Sequence, residues 1–357
     1  MKLIEPAAPI AILAVMKKNI NILAIETSCD ETAAAVVRNG SDVLSSVISS
    51  QIDIHKPFGG VVPEIASRAH IEQIYPVVDK VIRDSGLEAG DIDAVAVANQ
   101  PGLVISLIVG VTAAKTLAMM WDKPLISINH VHAHLQSAMI EQSDIKLPAV
   151  ALIVSGGHTN LYSCKSPLEL ELMGSTIDDA AGEAFDKVAQ ILHLSYPGGP
   201  SIQRAAEKGN PKAVDFPRSM LSKESLDFSF SGIKTAVLYH CNGKNMQGGS
   251  LVEKMSEQEI ADIAASFQRA VVDVLVKKTM RASKLIKAKT VLMGGGVAAN
   301  ALLRNEMQEI CAKRHLRLLT APMKYCTDNA VMVASLAYYK YREGLFADLS
   351  LEAKSSS

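Results

Sequence analysis

The chain has 357 residues, 48% of them hydrophobic and 20% charged, with a net charge of −1. That length exceeds one ordinary domain and predicts two lobes of roughly 150 residues each. The charge balance excludes a global basic field, so any nucleic-acid contact has to come from a local patch or a partner subunit. Taken in chain order, residues 7–15 are apolar, but no A-x-A cleavage pattern follows them and Met16-Lys17-Lys18-Asn19 reads as a natural start. Residues 1–19 are therefore expected to be an N-terminal extension outside the fold. Residues 20–25 and 32–37 read as buried strands joined by Glu26-Thr27-Ser28-Cys29-Asp30-Glu31, a hairpin whose tip carries Asp30 and Glu31. A strand over 43–51, a Pro/Gly loop over 55–63 and a helix over 64–84 come next, the helix from its apolar period. Residues 94–98 are the following strand, and Gln100-Pro101-Gly102 breaks it before a helix to about Trp121. The most apolar stretch, 101–111, reads as too short to cross a membrane.

Residues 129–159 hold two chemistries side by side. His130 and His134 are four apart, so on a helix both imidazoles share one face, the spacing a divalent metal needs. Val131 after the first histidine breaks H-E-x-x-H and excludes the obvious zinc-peptidase reading. Residues 149–154 form a strand ending in Ser155-Gly156-Gly157-His158-Thr159, where glycines let backbone N–H groups approach an anion such as phosphate.

Further on, Ser175 or Thr176 is expected to cap a helix with Asp178 and Asp179 in its first turns. Asp179, Glu183 and Asp186 would then form one acidic face, with Asp186, too deep for capping, as the functional acid. Residues 196–200 read as a tight turn, 201–208 as a helix, 216–231 as irregular and 243–250 as a flexible connection. A long amphipathic helix over 257–285 precedes a strand over 290–293 ending in Gly294-Gly295-Gly296, then a helix over 298–311. Strand, glycine turn and helix together aim backbone amides at an anion. A strand over 317–320 and a helix from about 328 to 341 close the chain. Neither G-x-x-x-x-G-K-[ST] nor a G-x-G-x-x-G after the first strand occurs, which excludes the P-loop and dinucleotide-fold readings. Three separate turns, 26–31, 155–159 and 294–300, suggest instead two lobes closing on one nucleotide. The five cysteines lack a C-x-x-C pair, which argues against a cysteine zinc site and for a reducing, cytoplasmic compartment.

The motifs E-T-S-C-D-E-T, G-G-V-V-P-E-I-A-S-R, H-x-x-x-H, S-G-G-H-T, D-D-A-A-G-E-A-F-D-K, Y-P-G-G-P, F-S-F-S-G-I-K-T, G-G-G-V-A-A-N and C-T-D-N-A follow one another in this order. Over residues 20–341 they resemble the bacterial TsaD family of tRNA N6-adenosine threonylcarbamoyltransferases, formerly called glycoproteases. The resemblance implies an α/β fold of the actin-like, sugar-kinase-like ATPase class (ASKHA), two lobes of related topology with a central cleft. It divides the chain into an N-lobe of 20–129 plus 328–345, a C-lobe of 130–327 and a disordered tail of 346–357. It implies one divalent metal, Fe2+ with Zn2+ as the alternative, held by His130, His134 and Asp328. Substrate-binding positions carried over are Ile153, Val154, Ser155, Gly156, Gly157, Asp186, Gly199 and Asn300. The implied reaction moves the threonylcarbamoyl group of threonylcarbamoyl-AMP to N6 of adenosine 37 in tRNAs reading codons that begin with A, with ATP or ADP as a further ligand. Asp30 is the candidate general base. The implied partners are tRNA, a TsaB-like paralogue in a heterodimer, a TsaE-like ATPase and a threonylcarbamoyl-AMP synthase, with no membrane. The chain departs from the family pattern at His132, where glutamate is usual, at Gln100 and Ile105, where glycines are usual, and in lacking a proline-rich C-terminal tail. A small-molecule kinase or ATPase of the same fold and a noncatalytic scaffold paralogue are the competing readings. Neither needs the histidine pair.

Overall fold

Runs such as Asn21–Glu26 and Ala149–Val154, buried at every position, form the centres of two five-stranded sheets and are covered on both faces there. The computed structural model describes residues 19–140, 142, 145–219, 224–243 and 251–356. The expected extension, apart from Asn19, and the expected connection, apart from Gly243, lie outside the described residues.

The chain divides into two compact units, one of residues up to Ser49, Ser67–Ala133 and from Asn329 on, the other of Ser50–Ala66 and His134–Asp328. Residues 50–66, expected in the N-lobe, cluster with the second unit. The first sheet comprises β1 (Asn21–Glu26), β2 (Glu31–Arg38), β3 (Asp42–Ser50), β4 (Ala94–Gln100) and β5 (Leu125–Asn129), in the order β3-β2-β1-β4-β5. β1 runs antiparallel to β2 and parallel to β4, and β4 runs parallel to β5. The predicted loop over 55–63 is partly helical: α1 (Ile52–His55) and a short 3-10 turn over 56–58 precede the non-helical residues 59–62, which lead to α2 (Pro63–Ser85). α3 (Val104–Trp121) and, near the C-terminus, α10 (Ala330–Arg342) pack on this sheet.

The second sheet repeats the topology. β6 (Ala149–Val154), β7 (Thr159–Cys164), β8 (Leu170–Ser175), β9 (Thr290–Gly294) and β10 (Arg317–Thr320) lie in the order β8-β7-β6-β9-β10. β6 pairs antiparallel with β7 and parallel with β9, as β1 does with β2 and β4. The related topology expected of the two lobes is therefore present strand for strand. α4 (His130–Ser137) follows β5 directly. The second unit also holds α5 (Ala181–Ile191), α6 (Gly198–Ala206), α7 (Ser231–Asn242), α8 (Glu257–Leu285) and α9 (Ala301–Lys313). α8 begins with a capping box in which Ser256 and Glu259 satisfy each other's backbone donors. Its Phe267 meets Phe185 of α5 edge-on, with 5.1 Å between centroids, inside the larger core. The irregular stretch before α7 is ordered from α8: Lys278 donates to the carbonyls of Ser225 and Asp227, and Arg281 to that of Ser225.

Three further expectations change. The helix expected to about Trp121 is α3, but the apolar stretch read as ending at 111 continues along it, and its 18 residues, with mean hydropathy 1.7, are by length and composition alone enough to cross a membrane. Ser106, Leu107, Gly110, Val111, Ala114 and Ala118 face the core, while Val104, Ile105, Ile108, Met119 and Met120 are exposed. The described part of the tail, residues 346–356, is not disordered: Ala347 bridges Leu125, Lys354 N–H donates to Asn99 O at 2.9 Å, and Leu351 and Ala353 pack on the first core. The third change concerns the acids after β8. α5 begins at Ala181, so Asp178 and Asp179 precede it rather than sharing its face. Asp178 accepts from Phe230 N–H at 2.8 Å and Ser229 Oγ at 2.6 Å. Asp179 bridges Lys187 and Lys234; against the opposing effect of burial, hydrogen bonds from Lys234 and then Lys187 hold its carboxyl below the ordinary value.

Candidate functional site

α4 starts where β5 ends because the Asn129 side chain accepts the His132 N–H at 3.1 Å, closing the first turn. His130 and His134 are 4% and 0% exposed and project from the same helix face. His134 Nε2 lies 3.1 Å from Asp328 Oδ1, and one ligand atom from each of His130, His134 and Asp328 falls within 4.8 Å of the others. Two imidazoles and a carboxylate in that arrangement fit a divalent first-row ion. Asp328 immediately precedes Asn329, whose side chain caps α10 by accepting Met332 N–H at 3.0 Å. The loop before it is tied down by Arg304, which donates to Ala298 O, Ala321 O and Cys326 Sγ. On the other side β9 reaches the helix backbone. A Cβ at Gly294 would stand 2.3 Å from His134 O, so only glycine fits there.

His132, half-buried, lies two residues along, off the face that His130 and His134 share. Burial and then the Lys340 ammonium lower its imidazole pKa. His132→Glu is accordingly expected to leave metal content unchanged within error by elemental analysis; loss of metal would mean that this side chain joins the centre.

Glu26 is the residue that sequence reasoning missed. It is fully buried at the end of β1, with Oε2 2.9 Å from His130 Nδ1. Its neighbour in the tip, Asp30, is half-exposed, whereas Glu31 is buried as the first residue of β2 and is not part of a solvated tip. The tip is anchored by buried His70, whose ring contacts Thr32 Oγ1 at 2.7 Å and Cys29 O at 3.0 Å.

Ile153 and Val154 are buried strand residues, and Ser155 N–H closes the turn onto His158 O at 2.8 Å. Gly156 and Gly157 are exposed, with open space where a side chain would stand. This turn rests on the start of α5: Ser155 O accepts Gly182 N–H, and Gly156 O accepts Glu183 N–H at 3.0 Å. Gly295, with φ +92°, brings the second glycine turn against Val154 O. Asp186 accepts Gly198 N–H at 2.7 Å and so caps α6; it also lines a cavity of about 240 Å³ with Lys56, Gln190 and Tyr196. Because α6 starts at Gly198, Gly199 lies in its first turn and not in a turn before the helix. Asn300 caps α9 by accepting Leu303 N–H and donates to Gln268 at 2.7 Å, and the adjacent Ala301 N–H reaches Gln203 of α6. The structure thus joins the 153–157 turn to the 294–295 turn, joins Asp186 to Gly198-Gly199, and fixes Asn300 beside α6.

A duplicated sheet of this topology is the actin-like ATPase fold. It is shared by full-length HypF in its phosphate- and nucleotide-bound form (TM-score 0.58, 15% identity, 92% of this chain and 47% of that one). It is shared also by component A of the (R)-2-hydroxyglutaryl-CoA dehydratase of Acidaminococcus fermentans (TM-score 0.52, 13% identity, 92% and 99%). The family is narrower than the fold. Residues 42–335 match the model of TsaD, tRNA N6-adenosine threonylcarbamoyltransferase. The enzymes of that name from Syntrophomonas wolfei and Moorella thermoacetica are each 50% identical, over 93% of this chain and 96% and 95% of theirs. The chain belongs to the tRNA N6-adenosine threonylcarbamoyltransferase family.

Proposed function

We propose that this chain transfers the threonylcarbamoyl group of threonylcarbamoyl-AMP to N6 of adenosine 37 in tRNAs reading codons that begin with A. The observation that carries this reading is the grouping of His130, His134 and Asp328 in a chain half identical to threonylcarbamoyltransferases along nearly its whole length. The N6 amine attacks the carbamoyl carbon, the new C–N bond forms, the bond to the adenylate oxygen breaks, and AMP leaves with the electron pair. The amine is a poor nucleophile, so a carboxylate that takes its proton helps, and half-exposed Asp30 is the candidate. Residues 153–157, Asp186, Gly199 and Asn300 are the proposed adenylate contacts, where exposed turn amides offset charge on the phosphate. A divalent ion held by His130, His134 and Asp328 supplies Lewis-acid stabilisation of that charge. Fe2+ is the proposed ion and Zn2+ the alternative, with ATP or ADP as a further ligand. The proposed setting is the cytoplasm, with a threonylcarbamoyl-AMP synthase supplying substrate. Reconstitution with threonine, bicarbonate, ATP, tRNA and partner proteins tests the reading. Mass spectrometry of the nucleosides should show threonylcarbamoyladenosine, and ATP turnover without modified nucleoside would favour a kinase-like activity instead.

The proposed partners besides tRNA are a TsaB-like paralogue and a TsaE-like ATPase. The apolar residues left exposed on α3 support a protein partner on this helix. Ile105, 40% exposed, adds a branched side chain where the family has glycine. Overpacking a contact by that much costs about 1–3 kcal/mol, roughly 5- to 150-fold in affinity. Pairing with a paralogue from a bacterium having the usual glycines should therefore be weak. Gln100→Gly with Ile105→Gly should strengthen that mismatched pair and weaken the native one. Calorimetry on the four combinations decides it, and equal affinities throughout would remove this helix from the interface.

A further inference from the structure

We infer that Glu26 is a positioning residue for the metal centre, holding the His130 imidazole in the tautomer that offers Nε2 as the ligand. The inference rests on the reading of His130, His134 and Asp328 as ligands. Glu26 is 0% exposed, so both carboxylate oxygens depend on donors within the protein. Oε1 accepts Ser28 N–H at 2.6 Å, and Oε2 lies 2.9 Å from His130 Nδ1. Ser28 Oγ, 3.1 Å from the same nitrogen, closes a small buried network around it. A carboxylate only accepts, so the proton of a neutral imidazole resides on Nδ1 and the lone pair on Nε2. The same contact fixes the ring's rotation, because Glu26 sits at the end of a strand buried along its whole length and the Ser28 amide sets its carboxylate. A carboxylate behind a metal-bound histidine also raises the ligand's basicity. An acid with a purely structural task would be served by backbone donors; here one oxygen is given to the side chain of a candidate ligand.

The test uses the full chain stripped of metal, with Zn2+ and then Co2+ titrated into wild type, Glu26→Gln and Glu26→Leu by calorimetry. Apo melting temperatures report folding separately. Glu26→Gln, which can still accept from Nδ1–H but carries no charge, should bind about tenfold more weakly, and Glu26→Leu about 100-fold more weakly. In Co2+-loaded wild type the His130 Nδ1–H should give a hyperfine-shifted resonance protected from solvent exchange. A merely structural defect would not move that resonance, whereas Glu26→Leu should lose its protection. Wild-type affinity in folded Glu26→Leu, which removes the acceptor altogether, overturns the role of Glu26 and leaves the centre standing. If wild type itself binds neither ion, the centre is overturned and the inference with it.

Discussion

Alanine at His130 and His134 together should give a chain that retains no metal after chelation and dialysis and makes no threonylcarbamoyladenosine. The three donor groups lie within 4.8 Å of one another, and the double variant leaves only the Asp328 carboxylate. A single carboxylate is a poor holder of a transition ion compared with two imidazoles on one helix face. Both rings are buried, so their loss also opens space in the fold, at a cost in the range of large-to-small core substitutions, about 2–5 kcal/mol. Activity alone would therefore be ambiguous, and the measurement pairs metal content with circular dichroism at a temperature where the variant is folded. A folded double variant carrying stoichiometric metal would place the ion elsewhere. A folded, metal-free variant with wild-type nucleoside yield would separate the metal from the chemistry.

The histidine pair was legible in the sequence because its meaning is local: two side chains four positions apart on one short helix share a face whatever the rest of the chain does. α8 was legible for the same reason, its extent read from a steady apolar period over 257–285. Asp328 came only through resemblance, since nothing in its neighbourhood says that it meets a histidine from another element. Glu26 was missed on similar grounds. At the end of an apolar strand it reads as the first residue of a polar turn, and its partner His130 lies 104 positions away. The misplaced acids show the same limit from the other direction. Acids just before a helix and acids in its first turn look alike in sequence, and only Phe230 N–H and Lys234, more than 50 residues on, decide that Asp178 and Asp179 are staples of a loop. The start of α6 was placed late because Gly198-Gly199-Pro200 has the composition of a turn, while the cap that starts the helix there is Asp186, on the preceding helix.

Gly294→Ala should lower both stability and metal affinity, the second through the first ligand helix. Gly294 ends β9, paired with Ile153 of β6, and an added Cβ would stand 2.3 Å from the carbonyl oxygen of His134 and 3.2 Å from its carbon. A flexible side chain can give way to such an intrusion; the backbone of a buried helix cannot without carrying its own side chains along. Overpacking of this kind costs about 1–3 kcal/mol and occasionally more, and in a unit of this size each kcal/mol is worth roughly 2–4 °C in Tm. Since the displaced atoms belong to His134 itself, its Nε2 should move relative to Asp328 Oδ1, now 3.1 Å away, and zinc affinity should fall together with Tm. Gly296→Ala is the internal control: it lies in the same glycine turn, but nothing stands within 4 Å of the position its Cβ would take. It should leave both quantities near wild type. A lowered Tm with unchanged affinity in Gly294→Ala would mean that the strand yields rather than the helix, and that His134 is held in place from its other side.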